Sequence, residues 1–221
     1  MNAVPPRLAS ERVLIPGPAG NLESIVDQPT PGDATIVGVV CHPHPQFGGT
    51  MTNKVVYTLA RAFNELGATA VRFNYRAVGA SEGSYDEGNG ETDDALAVMA
   101  WAQRRWPAAQ LWLGGFSFGG AVAIKAAAQV PVQRLVTVAP AIRRVTMDVA
   151  SRPHASWLVI QGDNDDLVDA ASTQAWAASL QPPPELVVLP GVDHFFHGRL
   201  NDLREIVVRW VRDPQQPAVR G

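Results

Sequence analysis

The pattern in this chain that could do chemistry is a serine held between glycines, with acidic and histidine-bearing loops far downstream. Gly115-Phe116-Ser117-Phe118-Gly119-Gly120 carries the spacing G-x-S-x-G plus a third glycine. It follows the apolar run Leu111-Trp112-Leu113 and precedes a helix-forming stretch, residues 121–129. A serine on so sharp a strand-to-helix turn stands clear of the sheet edge, and glycines remove Cβ atoms that would collide there. The helix starting behind it offers N–H groups and a positive dipole end to a developing oxyanion. The bland alternative is a glycine-rich turn with an incidental serine. A hydroxyl is a weak nucleophile at neutral pH, so attack by Ser117 needs a base, and the base needs an orienting group.

Both are available downstream, in the order serine, acid, histidine that such strand–turn–helix serines use. Gly162-Asp163-Asn164-Asp165-Asp166-Leu167-Val168 follows an apolar strand candidate, and the spacing G-x-x-D-x-x-V selects Asp165, with Asp163 next. Asp169 is better suited to capping the helix that begins near Ala170. Pro190-Gly191-Val192-Asp193-His194-Phe195-Phe196-His197 follows the next strand candidate. His194 comes directly after the strand and a glycine turn and is the expected base. His197 is expected to begin the last helix at the surface. Of the other histidines, His42 and His44 precede the serine, and His154 lies before a strand, at the far end of the sheet.

Cys41-His42-Pro43-His44-Pro45-Gln46-Phe47-Gly48-Gly49 follows an earlier strand candidate. An oxyanion is held by the N–H after the nucleophile, here Phe118, and by one from this earlier loop. Proline has no N–H, which removes Pro43 and Pro45. His44 is the expected donor, with Gln46 second. His42 and His44 have no third ligand nearby, so no metal site is expected. Cys41, closing an apolar strand, reads as small core filler rather than a nucleophile.

These loops need a frame. Strand candidates fall at residues 11–15, 22–27, 35–41, 68–73, 110–114, 133–138, 156–161 and 185–189. Helix candidates fall at 53–66, 91–106, 119–129, 170–180 and 197–211. The first two strands flank Pro16-Gly17-Pro18-Ala19-Gly20 and must pair antiparallel. Thereafter strands alternate with helices, which predicts a mostly parallel sheet of about eight strands with helices on both faces. Ligands of such sheets sit at the carboxyl ends of the strands, where each loop above falls. The acidic stretch 82–91 reads as a solvated surface, although it, Phe118 and residues 141–152 also lie where a pocket rim would form.

Composition narrows the partners. The chain has 221 residues, 18 Lys and Arg against 21 Asp and Glu, and one cysteine. A single domain over residues 1–221 is expected from this length. A net charge of −3 argues against nucleic-acid binding, which needs phosphate-neutralising cations. One cysteine excludes a disulfide framework within the chain. No apolar run reaches membrane-spanning length and no signal peptide is visible at the start, so a cytoplasmic protein that binds no membrane is expected.

The motifs together resemble the α/β-hydrolase superfamily, in particular the small bacterial serine hydrolases without a lid. His42–Gly49 matches H-P-H-P-x-x-G-G, 73–83 matches F-N-[YF]-R-x-V-G-x-S-E-G, and the serine, aspartate and histidine loops complete the set. Ala77 departs from it, standing where many relatives have glycine. The resemblance implies a Ser117–Asp165–His194 triad and carboxylesterase-type activity, without a cofactor, on short-chain esters of small molecules. Only residues 140–155 separate two core strands, leaving no room for a cap domain. The same machinery also suits a thioesterase or a small peptidase or amidase, and the fold can serve as a non-catalytic binding module.

Overall fold

The computed structural model describes residues 8–29, 32–144 and 152–213. Eight strands form one sheet: β1 (Ala9–Gly17), β2 (Gly20–Gln28), β3 (Ile36–Cys41), β4 (Thr69–Phe73), β5 (Gln110–Phe116), β6 (Arg134–Val138), β7 (Ser156–Gly162) and β8 (Glu185–Leu189). Five helices connect or cover them: α1 (Lys54–Glu65), α2 (Gly90–Arg105), α3 (Phe118–Gln129), α4 (Ala170–Ser179) and α5 (Leu200–Arg212). The strand order is β1-β2-β4-β3-β5-β6-β7-β8. The β1–β2 hairpin joins the edge antiparallel, and β4, β3 and β5 to β8 run parallel.

The inner parallel strands read as largely apolar runs because both of their faces are buried, whereas the edge strand β8 is mostly half-buried. Alternate residues serve opposite layers. Val37, Val39, Leu111, Leu113, Leu135, Trp157 and Val159 pack with Val98 and Met99 of α2 and Val122 and Ile124 of α3. Val40, Trp112, Val136, Val138, Leu158 and Ile160 pack with Val56, Leu59 and Phe63 of α1 and Leu203 and Val207 of α5. The sheet is therefore sandwiched between helical layers, and the carboxyl ends of its parallel strands come out together along one edge.

Element ends follow local chemistry. Asn53 caps α1 rather than joining it, its side chain accepting from the N–H groups of Val55 (2.9 Å) and Val56 (3.4 Å). Asp169 caps α4 through Ser172 N–H. Cross-strand pairing runs to Gly17 and Gly20, so the first turn shrinks to Pro18 and Ala19. The last helix starts at Leu200, not at His197, because Phe196 (φ 55°) and Gly198 (φ 71°) interrupt helical backbone just before it.

Candidate active site

Strand β5 ends at Phe116 and α3 begins at Phe118, which leaves Ser117 alone in the turn. Its backbone is at φ 55°, ψ −118°, a strained conformation for a residue with a Cβ. Three bonds hold it there: Ser117 N–H donates to Val138 O (2.9 Å), and Ser117 O accepts from the N–H groups of Ala141 (3.0 Å) and Ala121 (3.2 Å). The flanking glycines are sterically required. A Cβ on Gly115 would lie 2.1 Å from Gly119 O, and one on Gly119 would lie 2.4 Å from both Cys41 O and His42 O.

Three of the expected residues meet here. His194 Nε2 is 3.0 Å from Ser117 Oγ, and His194 Nδ1 is 2.7 Å from Asp165 Oδ2. All three lie on loops at strand ends, after β5, β7 and β8. The other Asp165 oxygen accepts from the N–H groups of Leu167 (2.9 Å) and Val168 (2.8 Å), and Gln161 Nε2 donates to Oδ2 (3.0 Å). Burial pushes the Asp165 carboxyl up, but the bonds from His194, Val168 and Leu167 outweigh it and leave it below its ordinary value. An ionised Asp165 fixes the proton of His194 on Nδ1, so that Nε2 faces the serine as an acceptor. Asp163 is turned to another task, accepting from Gly191 N–H (2.6 Å). His197 is exposed and paired with Asp193 (2.7 Å).

The loop after β3 approaches from the other side. Pro43, His44, Ser117, Phe118 and His194 line one cavity of about 410 Å³. His42 is fully buried beneath it. Its Nε2 accepts from Tyr75 N–H (3.1 Å), so its proton sits on Nδ1 and is donated to Pro43 O (2.6 Å). Burial drives this imidazole down to about 3, against a small opposing effect of the Pro43 bond. Because a trans peptide points its C=O and N–H oppositely, fixing Pro43 O turns the His44 N–H away from His42. Gln46 N–H is bound to His44 Nδ1 (3.2 Å). His44 Nε2 lies 3.1 Å from Tyr85 Oη, and its ring packs against Phe47 and Phe118.

Several residues at the site carry no motif signal of their own. Gln161, Asn53, Phe47 and Leu167 orient Asp165 or line the cavity. Each sits next to or within a few positions of a motif residue, which is the one clue the sequence holds. The acidic stretch is only partly a solvated surface. Glu91 is fully buried and accepts from the N–H groups of Asp86 (2.9 Å) and Gly88 (2.7 Å). Tyr85, in the same loop, reaches His44. Within residues 141–152, Ala141 lines the cavity, and residues 145–151 lie outside the described residues.

No group of three or more candidate ligands for a metal occurs among the described residues. Cys41 is buried, and burial pushes its thiol up to about 12 despite a contact with Tyr75 that lowers it, so it carries no thiolate at neutral pH. No helix among the described residues is long and apolar enough to cross a membrane.

Known proteins share both sequence and shape with this chain. A family model described as alpha/beta hydrolase fold matches residues 43–157. An uncharacterized protein of Rickettsia prowazekii is 31% identical over 201 residues, spanning 86% of this chain and 84% of its own length. A serine hydrolase without a lid from Xanthomonas campestris is 43% identical, covers 95% of this chain and 96% of its own, and superposes with a TM-score of 0.86. An alpha-beta serine hydrolase homologue from Coxiella burnetii is 44% identical over 90% of this chain and 96% of its own, with a TM-score of 0.84.

Proposed function

The chain belongs to the α/β-hydrolase family, and from that premise we propose that it is a serine hydrolase of carboxylic esters working through an acyl-enzyme on Ser117. The observation that carries this reading is the unbroken run of contacts from Asp165 Oδ2 through His194 to Ser117 Oγ, 2.7 Å and 3.0 Å. Ser117 Oγ attacks the ester carbonyl carbon as His194 Nε2 removes its proton. The carbonyl oxygen becomes an oxyanion held by the N–H groups of His44 and Phe118. Collapse breaks the carbon–oxygen bond to the alcohol, which leaves with the proton from His194. Water then gives a proton to His194 and attacks the acyl carbon. The acid departs and the proton returns to Ser117.

Asp165 stabilises the imidazolium and keeps the ring oriented. One oxyanion donor is worth about 2.7–4 kcal/mol in a measured protease case. The His42-to-Pro43 bond would contribute by aiming the second donor before substrate arrives. The scheme needs no cofactor, and we take it to act on small-molecule esters in the cytoplasm. The test is hydrolysis of p-nitrophenyl butyrate by wild type and Ser117→Ala. Turnover is expected only in wild type, and equal turnover in both proteins removes the proposal. Matched thioester and dipeptide substrates in the same assay separate an esterase from a thioesterase or peptidase.

A further inference from the structure

Five large apolar side chains are exposed among the described residues: Leu14, Phe47, Tyr57, Leu167 and Phe195. Three of them, Phe47 (79% exposed), Leu167 (64%) and Phe195 (46%), line the cavity that contains Ser117. Single exposed apolar residues are ordinary, but several gathered round one opening mark a binding surface. They come from three separate loops, after β3, β7 and β8, so local sequence bias does not explain the clustering. Apart from its histidines, the described lining of this cavity holds no ionisable side chain other than Ser117 itself. The adjoining hollow of about 470 Å³ is different, lined by Arg143, Asp166, Asp169 and Ser172, and it shares only Ala141, Leu167 and Val168 with the first.

We propose that this apolar mouth binds a medium-length hydrocarbon arm of an uncharged ester, so that the substrate is larger and less polar than an acetate or propionate. The proposal rests on the esterase reading and specifies its substrate class. Continuity decides the occupant. A hydrocarbon chain attached to the carbonyl at Ser117 leaves the site over Phe47, Leu167 and Phe195 and removes them from water. A permanent protein cover on the same mouth would seal Ser117. An anionic lipid surface would meet exposed Asp166 and Asp169, which outnumber the exposed Arg143 in the adjoining hollow, and be repelled.

The experiment uses two series at concentrations where the esters are monomeric: p-nitrophenyl esters from acetate to octanoate, and alkyl acetates of lengthening alcohol. Full burial of a methylene strengthens binding about fourfold, and an open mouth recovers part of that, so kcat/KM should rise about twofold or more per methylene along one series. The series that rises tells whether the arm is acyl or alkyl. Leu167→Ser and Phe195→Ser should each lower the ratio of longest to shortest substrate in that series about tenfold. Leu14→Ser, exposed on β1 away from the site, should leave the ratio at its wild-type value. Two flat series, or wild-type ratios in both rim variants, overturn the proposal while leaving the esterase reading intact. Loss of all ester turnover together with no reaction of Ser117 with a fluorophosphonate overturns both.

Discussion

Acidification should unfold this protein partly through one histidine remote from solvent. His42 is fully buried and neutral, with both ring nitrogens in use, and burial lowers it to about 3. In the unfolded chain the same imidazole titrates at about 6.5. Between those values the unfolded state binds a proton that the folded state refuses. Stability is therefore complete above the upper value and falls as pH drops toward the lower one. One proton gives a slope of about 1.4 kcal/mol per pH unit, and the whole window corresponds to about 5 kcal/mol. Against a total of about 5–15 kcal/mol for a typical domain, that is about a third or more of the stability. Asp165 acts with the same sign, since its lowered carboxyl favours the folded state until it is protonated. Urea unfolding followed by tryptophan fluorescence from pH 7 to pH 4, on wild type and His42→Gln, isolates the histidine. The wild-type stability should fall more steeply by about 1.4 kcal/mol per pH unit below about pH 5.5. Parallel curves would refute the argument. Nitrogen-15 NMR of wild type gives an independent check: His42 Nε2 should remain unprotonated at pH 4, and a midpoint near the ordinary histidine value would contradict it.

Other perturbations have equally defined outcomes. Ala77 sits at φ 62°, where a glycine is relaxed, so Ala77→Gly should stabilise by about 0.5 kcal/mol, the relief of strain exceeding the added unfolded-state entropy; a lower melting temperature would contradict this. Arg76 donates twice to buried Asp94, whose carboxylate also accepts from Arg76 N–H. Asp94→Asn should cost about 3 kcal/mol by leaving a largely buried guanidinium without its counter-charge, and urea titration reads it. Asp165→Asn should keep the fold and lower kcat about 10⁴-fold, the loss known for the corresponding change in a serine protease, with KM nearly unchanged. A kcat within tenfold of wild type would remove Asp165 from its proposed role.

The frame was legible because its signals are local. Apolar runs such as Ile36–Cys41 and Ser156–Gly162 are bounded by turn chemistry, and the doubly buried sheet explains why they lack alternation. Asp165 and Asp163 could be ranked from spacing, yet only the fold shows Asp163 committed to Gly191 N–H. Side-chain burial in the acidic loop was illegible. Glu91 looks like its exposed neighbours in composition, and its burial depends on the N–H groups of Asp86 and Gly88 folding back over it. The start of α5 was misplaced because Phe196 takes a left-handed backbone that its residue type does not announce. The apolar mouth was hidden for a third reason. Phe47, Leu167 and Phe195 are far apart in sequence and become one surface only when three strands end on the same edge.

The most direct measurement is mass spectrometry of the protein after reaction with a fluorophosphonate, on wild type and His194→Ala. One adduct per chain, carried on the peptide containing Ser117 and formed far more slowly without the imidazole, is the predicted result. No adduct on wild type, an adduct on another residue, or equal labelling rates in the two proteins would contradict a serine activated by His194.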